Sequence, residues 1–366
     1  MTDKTHAAIA ALDGKGAVGA VQVATPTALE AAEVMIKVEY AAMIAPDTYA
    51  TDLGFFVDAY PYVLGYTVAG FVVRVGAGAE GFKDGDSVVA FAYGPSKRKA
   101  MQQYVVQPYT VCAKVPDNLP LDQAATIPDN FVCAFYTLFN QLGLPHPPAS
   151  LASSTPPPQA TTPILIYGAG STAGQYAIQL LHHAGYKNII ATASPRHHES
   201  LRSMGATHVF DYNSERLEAE VAAAVGGEGK VPLVLDGVTA EATIKKIAGL
   251  VSPNGKVALL LPIKEGDKVT VHTSQGGMYQ ELRPDRTPMP EGVKVIGVKT
   301  FFYHEDEYLK ENLMPKILPQ LLEAGVIRPV RVRLMDKGSF LERVEEGLEL
   351  LRTNKVSGEK VVVKVD

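Results

Sequence analysis

The sequence is poor in cysteine and contains no tryptophan. Its 366 residues include two cysteines, Cys112 and Cys133. Two cysteines form at most one disulfide and cannot supply an all-cysteine zinc site, which excludes a disulfide-rich scaffold and a structural zinc lobe. Neither cysteine belongs to a C-x-x-C pair, and we predict that both are buried core residues.

The sequence also lacks a surplus of positive charge and any long apolar run. It has 34 Lys and Arg against 39 Asp and Glu, a formal net charge of −5. A protein that binds nucleic acid regardless of sequence needs a cationic excess, so we expect no nucleic-acid partner. No apolar run reaches the roughly 18 residues of a membrane-spanning helix, and no signal peptide is evident. We therefore expect a cytoplasmic protein without a membrane contact.

The chain does have enough length and apolar content for two domains. It is 46% hydrophobic, which excludes wholesale disorder, and a single core rarely exceeds about 250–300 residues. Residues 18–140 read mostly as short strands with glycine-rich turns, as in VMIKVEY at 34–40. This part is predicted to be a small, closed antiparallel β domain, followed by two helices over 121–144 that Pro128 separates.

The second half of the chain has a different pattern. Seven prolines lie between positions 145 and 163, a density that disfavours helix and sheet and predicts an extended surface loop. Residues 164–261 then alternate apolar strands with amphipathic helices, which predicts an α/β domain with a doubly wound parallel sheet. A loop over 262–292 and a strand over 293–303 are predicted to follow.

The first strand of this α/β part leads into a glycine-rich turn, ILIYGAGSTAGQ at 164–175. Glycine permits a tight turn and a close approach of the backbone to a pyrophosphate, and small residues let the helix pack against the strand. The start of the helix supplies N–H donors and a partial positive charge. The turn predicts a dinucleotide site, with cofactor contacts at Gly168, Gly170, Ser171, Thr172 and Ala173.

The end of the second strand indicates which dinucleotide binds. NAD sites usually have an acidic residue there, but IIATASPRHHES has none before Glu199. Ser194, Arg196 and His197 stand at the strand tip instead, and an arginine fork suits the 2′-phosphate of NADPH. The alternative is the start of a solvated helix with ordinary surface charge. We predict NADPH as the cofactor.

These residues resemble the medium-chain dehydrogenase/reductase superfamily along nearly the whole chain. VEYAAMIAPDTY and PYVLGYTVAGFVVRVGAG are similar to its GroES-like segment, LRSMGATHVFDY to a Rossmann strand signature, and SGEKVVVKV to its closing strand. The resemblance implies a GroES-like β domain over 1–127 and 305–366, and a Rossmann domain over 128–304.

The chain departs from the zinc-dependent members of that superfamily at their metal ligands. The first cysteine position falls near Ala45, the Gly-His-Glu motif reads Gly65-Tyr66-Thr67, and the second cysteine position falls near Asp129. A catalytic zinc needs three protein ligands, so we expect no metal site. The resemblance then implies the zinc-free branch of quinone, enoyl and double-bond reductases.

Within that branch, the chain most resembles the fungal trans-acting enoyl reductases of polyketide pathways, of the lovastatin-pathway type. The Pro-rich insertion, the turn Y-G-x-G-S-T-A and the ending SGEKVVVKV carry the resemblance. It implies NADPH-dependent reduction of an activated C=C bond, with a small-molecule or acyl-thioester substrate, by a monomer or homodimer. The alternatives are a zinc-independent quinone oxidoreductase and an NADPH-binding protein without catalysis.

The resemblance also implies roles for single residues near the nicotinamide. In the APDTY segment, Pro46 contacts the cofactor, Asp47 orients the backbone and Tyr49 donates a proton. Cys133 matches a small Ser/Thr position that faces the nicotinamide in relatives.

Further roles follow for residues at the carboxyl ends of the Rossmann strands. Tyr212 resembles a contact to the cofactor ribose. Leu261 and Pro262 follow the fifth strand and are expected to flank the nicotinamide, and Phe302 is expected to line the substrate pocket.

Overall fold

A computed structural model of the protein describes residues 4–147, 156–226, 229–267 and 277–366. These residues divide into two compact units. The first unit contains residues 4–129 and 304–366, and the second contains the described residues between 130 and 303. Part of the predicted Pro-rich loop, residues 148–155, lies outside the described ranges.

The β-strands of the described residues are numbered here in chain order. They are β1 (Thr5–Ala11), β2 (Val18–Ala24), β3 (Glu33–Ala42), β4 (Tyr62–Val63), β5 (Thr67–Val75), β6 (Ser87–Phe91), β7 (Tyr104–Pro108), β8 (Cys112–Lys114), β9 (Ile164–Tyr167), β10 (Ile189–Thr192), β11 (His208–Phe210), β12 (Val231–Asp236), β13 (Val251–Leu260), β14 (Ile263–Lys264), β15 (Met278–Tyr279), β16 (Lys294–Val298), β17 (Arg331–Met335) and β18 (Glu359–Lys364).

The α-helices are numbered in the same way. They are α1 (Ala45–Leu53), α2 (Leu121–Ala124), α3 (Pro128–Phe135), α4 (Thr172–His183), α5 (His198–Ser203), α6 (Leu217–Val225), α7 (Glu241–Ala248), α8 (Glu307–Asn312), α9 (Leu318–Glu323) and α10 (Phe340–Arg352). Among the described residues, no helix combines the length and the hydropathy that crossing a bilayer requires.

The first unit is built on two sheets. One has the strand order β17-β18-β3-β5-β6-β8, with β7 also paired to β3, and the other has the order β2-β1-β4. Strand β18 pairs antiparallel with β3, so the last strand of the chain lies beside one of the first. Gly70 permits the close approach of β5 to β3, because a Cβ there would lie 2.0 Å from the Lys37 carbonyl oxygen.

Helix α10 shows how the local sequence sets the elements of this unit. Ser339 and Glu342 form a capping box at its start, with the Glu342 amide donating to Ser339 Oγ. Phe340, Val344 and Leu348 follow at four-residue spacing and are buried in the core of the unit.

The second unit is built on a parallel sheet with the strand order β11-β10-β9-β12-β13-β16. The order 3-2-1-4-5-6 places a switch point between the first strand, β9, and the fourth, β12. All four residues of β9 are buried, as a strand covered on both faces requires. The prediction of a GroES-like domain with a Rossmann domain is confirmed as the fold class.

Two segments differ from their predicted secondary structure. The strand predicted over 293–303 ends at Val298, because its partner β13 ends at Leu260, and residues 300–305 form 3₁₀ turns. The loop predicted over 262–292 contains a short antiparallel pair, β14 with β15.

Candidate active site

The turn after β9 has the geometry that its glycines allow. Gly168 has a φ of +73°, and a Cβ there would lie 2.5 Å from Val238 Cγ2. A Cβ on Gly174 would lie 2.7 Å from Ala169 Cα, so only glycine lets α4 pack this close to the turn. The turn and the start of the helix therefore leave space for the backbone approach that a pyrophosphate needs.

Helix α4 begins directly at this turn. Ser171 caps it, with its Oγ accepting a hydrogen bond from the Gly174 amide at 3.1 Å. Thr172 and Ala173 are the first two residues of the helix, whose amides have no intrahelical acceptor in an α-helix and carry the positive end of the dipole. This arrangement fits the diphosphate of a dinucleotide.

The tip of β10 lies beside the same turn. A Cβ on Gly170 would lie 3.1 Å from His197 Cδ2. Ser194 Oγ donates to Tyr212 Oη at 3.3 Å, and Arg196 Nε donates to His197 Nε2 at 3.3 Å. The Arg196 side chain is exposed. The second unit thus brings together five residues that lie up to 42 positions apart in the sequence: Gly170, Ser194, Arg196, His197 and Tyr212.

A buried lysine in β14, Lys264, follows the predicted nicotinamide contacts Leu261 and Pro262 in the sequence. Leu261 donates its backbone amide to Val298 O at 3.2 Å, Pro262 is buried, and Lys264 is 7% exposed. Burial lowers the pKa of Lys264 to about 8, although the Asp236 carboxylate opposes this shift. A buried amine with such a pKa can donate or accept a proton near neutral pH.

The carboxylate beside Lys264 organises the loop after β12. Asp236 is fully buried, and its carboxylate accepts hydrogen bonds from the amides of Val238 and Thr239, both at 2.9 Å, and from Thr243 Oγ1 at 2.6 Å. Burial raises the pKa of Asp236, while these hydrogen bonds counteract the rise. The loop is therefore held in one conformation at the carboxyl edge of the sheet.

Helix α1 of the first unit carries the predicted APDTY residues. Pro46 lies in its first turn, and Asp47 accepts hydrogen bonds from the Ile44 amide at 2.9 Å and the Gly65 amide at 2.7 Å. Asp47 thus orients backbone in two segments. Tyr49 is 4% exposed, and burial raises its pKa to about 12, so its hydroxyl remains protonated at neutral pH.

A buried lysine lies near Asp47. Lys99 is fully buried, and its Nζ is 2.9 Å from the centroid of the Tyr66 ring and 5.7 Å from that of Tyr62. Burial lowers the pKa of Lys99 to about 7, against the attraction of the Asp47 and Asp129 carboxylates. Burial likewise raises the pKa of Asp47, and the Lys99 cation opposes that rise.

A buried ion pair between Asp129 and Lys360 completes this group. Asp129 Oδ1 accepts a close hydrogen bond from Lys360 Nζ and one from Thr67 Oγ1 at 3.2 Å. Asp129 and Lys360 are 4% and 2% exposed. We call Asp47, Lys99, Asp129 and Lys360 the buried ionic centre.

One residue of the buried ionic centre, Asp129, is at a position where the family resemblance places a zinc ligand in other members. At the family's zinc-ligand positions this chain has Ala45, Tyr66 and Thr67, which lack a thiolate, imidazole or carboxylate ligand, and Asp129, which is paired with Lys360. Across residues 4–147, 156–226, 229–267 and 277–366, no three His, Cys, Asp or Glu side chains are grouped to hold a metal ion. The donor set does not fit a catalytic zinc.

The cysteines and Phe302 complete the predicted residues. Cys112 is fully buried, as predicted, whereas Cys133 is half-buried in α3. Phe302 lies in the 3₁₀ segment Thr300–Glu305 rather than in a strand, and is 48% exposed.

Two buried lysines, Lys99 and Lys264, were missed by the sequence predictions because neither belongs to a recognisable motif. The sequence around each lysine contains no signal of its burial. Lys99 lies in the charged run SKRKA, which is typical of a solvated surface.

Comparisons with known proteins follow the division into two units. Residues 30–117 match the family model described as "Alcohol dehydrogenase GroES-like domain". Residues 173–272 match the model described as "Zinc-binding dehydrogenase". The first match lies within the first unit, and the second begins in α4 of the second unit.

Among curated proteins, the chain is similar to oxidoreductases of fungi. It is 29% identical over 337 residues to "Trans-enoyl reductase himH" of Aspergillus japonicus, covering 91% of this chain and 90% of that protein. It is 32% identical over 313 residues to "Dehydrogenase azaJ" of Aspergillus niger, covering 83% of this chain and 82% of that protein.

A solved structure with the same fold is the CurK enoyl reductase. It has a TM-score of 0.75 and 19% sequence identity, with full coverage of both chains. Together with the glycine turn, the strand order and the two family matches, these relatives lead to one assignment. The chain belongs to the medium-chain dehydrogenase/reductase superfamily, whose members bind NAD(P) in the Rossmann domain.

Proposed function

We propose that this protein is an NADPH-dependent reductase that hydrogenates an activated C=C bond, enoyl or enone, without zinc, in secondary-metabolite biosynthesis. The observation that carries the proposal is the Gly168–Gly174 turn beside the tip of β10, where His197 approaches Gly170 and Arg196 hydrogen-bonds to His197. The names of relatives such as "Trans-enoyl reductase himH" support the substrate class.

The reaction needs a hydride, a site for developing negative charge and a proton. When bound, a reduced nicotinamide supplies the hydride to the β-carbon of the substrate. The π electrons of the C=C bond move toward the carbonyl oxygen, where hydrogen-bond donors stabilise the enolate. Protonation of the enolate at the α-carbon, by a side chain or water, then gives the saturated product.

The proton has two candidate donors among the buried side chains. Tyr49 of the first unit keeps its hydroxyl proton near neutral pH, because burial raises its pKa to about 12. Lys264 of the second unit has a pKa of about 8, so its ammonium can release a proton in the working range and be recharged from water. Pro46, Leu261, Pro262, Cys133 and Tyr212 are proposed as cofactor contacts and Phe302 as a substrate contact.

The donor set at the family's metal positions supports a reaction without zinc. Asp129 is the one acidic side chain among those positions, and its carboxylate is held by Lys360 and Thr67. Hydride transfer to an alkene conjugated with a carbonyl places its charge on the substrate oxygen, where protein N–H or O–H groups can stabilise it.

An acceptor panel tests the proposed activity. The purified protein with NADPH is expected to oxidise the cofactor when an α,β-unsaturated thioester or enone is added, as followed by loss of NADPH fluorescence. The saturated product is expected to form as fast as NADPH is consumed. When the NADPH carries deuterium at C4, mass spectrometry of the product is expected to show one deuterium.

Two results would replace the proposal with its alternatives. Turnover with quinones but with no conjugated alkene would indicate a quinone oxidoreductase. Tight NADPH binding without hydride transfer to any acceptor would indicate a binding protein. The control is the saturated thioester, with which no oxidation of NADPH is expected because it has no double bond to reduce.

The assignment of the 2′-phosphate to the tip of β10 gives a separate prediction. Arg196→Ala is expected to weaken NADPH binding by about 10–100-fold and to leave NADH binding unchanged, because one charge-assisted hydrogen bond contributes about 1.5–3 kcal/mol. Isothermal titration with both cofactors measures the ratio. Arg202→Ala removes another exposed arginine, on α5, and serves as the matched control. An unchanged NADPH/NADH ratio in Arg196→Ala would show that the phosphate binds elsewhere.

A further inference from the structure

The buried ionic centre contains one cation whose surroundings are unusual. Lys99 Nζ is buried and has no hydrogen-bond acceptor among the described residues. It lies against the face of the Tyr66 ring at 2.9 Å from the centroid, a cation–π contact that holds the charge without an acceptor. The Lys99 backbone is held as well, since its carbonyl accepts from Gln102 Nε2 at 2.7 Å. The amine is therefore fixed in position.

The charges around Lys99 make it the counter-ion of Asp47. Asp129 already has Lys360 as a direct ion-pair partner. Asp47 forms no ion pair within 4.0 Å in the described part of the chain. Its Oδ1 accepts the Gly65 amide, and the next residue, Tyr66, carries the ring against which Lys99 Nζ lies, so the Lys99 cation is close enough to lower the pKa of Asp47, which burial raises. The phenols of Tyr62 and Tyr66 are the other titratable groups that face this pair.

The Asp47 carboxylate needs its charge for its structural role. Each of its oxygens accepts one backbone amide, from Ile44 at the start of α1 and from Gly65 before β5. Protonation turns one carboxylate oxygen into a hydroxyl, which is a much poorer acceptor, so one of the two hydrogen bonds is weakened. Helix α1 and Tyr49 would then be held less firmly to the sheet.

We propose that Lys99 is a positioning residue: its ammonium, held on the Tyr66 ring, keeps Asp47 ionised, and Asp47 in turn fixes the start of α1 and thereby Tyr49. This inference deepens the proposed reductase function and rests on it for its kinetic readout. Lys99 acts through Asp47 and does not itself contact the substrate.

The kinetic test uses the pH dependence of kcat. Lys99→Met keeps the length of the side chain and removes its charge. Loss of a nearby opposite charge raises a carboxyl pKa by about 1–3 units, so the acid limb of the pH–kcat profile is expected to move upward by about 1 unit or more. Activity is expected to return toward the wild-type value at alkaline pH, where Asp47 is ionised in both proteins.

The matched control is Lys256→Met, which removes a half-buried lysine of the second unit whose Nζ donates to Leu142 O at 3.0 Å. Its acid limb is expected to coincide with that of the wild type. A Lys99→Met enzyme with uniformly reduced kcat and an unmoved acid limb would overturn the inference, because a merely structural role lowers activity at every pH.

A second measurement uses the wild-type protein and therefore depends neither on turnover nor on the folding of a variant. In the wild-type protein, NMR of ¹³C-labelled lysine and ¹⁵N-labelled amides is recorded over pH 5–9. The Lys99 ¹³Cε signal and the Gly65 amide signal are expected to titrate with one midpoint. The Val63 amide, which donates to the neutral Ser96 Oγ at 2.8 Å, is the control and is expected to shift less.

The two readouts separate failure of this inference from failure of the proposed function. A Gly65 amide that stays constant while Lys99 titrates would overturn the link from Lys99 to Asp47, whatever the enzyme reduces. A shared midpoint in a protein without reductase activity would support the link and remove only the proposed reaction.

Discussion

Gly174→Ala is expected to weaken dinucleotide binding by about 100-fold or more and to destabilise the protein by about 1–3 kcal/mol. Alanine normally stabilises a helix interior by about 0.5–1 kcal/mol over glycine. Here the new Cβ would lie 2.7 Å from Ala169 Cα and 3.0 Å from the Ala169 carbonyl atoms. These are backbone atoms, so α4 must move away from the turn, and its first amides leave the position that the phosphates need.

Titration calorimetry with NADPH and urea unfolding measure the two effects. The control is Gly81→Ala, where φ is +84° but a Cβ meets nothing within 4 Å. It is expected to cost about 1–2 kcal/mol from backbone strain alone and to leave NADPH affinity unchanged. If Gly174→Ala binds NADPH as tightly as the wild type, the start of α4 is not the phosphate site.

Lys360→Met is expected to destabilise the protein by about 3–5 kcal/mol, because it leaves the Asp129 carboxylate buried without its cation. Both side chains of the pair are less than 5% exposed. A loss of this size is a large part of the roughly 5–15 kcal/mol that keeps a domain folded. Urea unfolding, followed by circular dichroism, measures the change in the free energy of unfolding.

The double variant Lys360→Met/Asp129→Asn carries no unpaired charge and is expected to recover most of the lost stability. Lys37→Met removes one side of the exposed pair Lys37–Glu39 and is expected to leave the urea midpoint unchanged. A double variant as unstable as Lys360→Met alone would show that lost packing, rather than the uncompensated charge of Asp129, causes the effect.

The architecture of the second unit could be predicted because its signals are local. A buried strand such as ILIY at 164–167 is continuously apolar, and the glycines that follow it are close in sequence to the helix that they allow to pack. The position of the tip of β10 beside the glycine turn could also be predicted, because parallel strands bring their carboxyl ends to one edge of the sheet. His197 therefore lies near Gly170.

Strand ends and buried charges could not be predicted in this way. Strand β16 ends at Val298 because its hydrogen-bonding partner ends at Leu260, a property of the neighbouring strand rather than of the residues at 299–303. Phe302 therefore lies in a 3₁₀ turn and not in the predicted strand.

Amino-acid patterns alone thus predicted the β domain, the doubly wound α/β domain and the glycine turn. Tertiary structure alone decided the buried ionic centre. Asp129 and Lys360 are 231 positions apart, and nothing near either residue in the sequence indicates a partner. Burial, not local sequence, determines whether a lysine is a solvated surface charge or the counter-ion of a carboxylate, because the cost of an unpaired charge arises only where water is excluded.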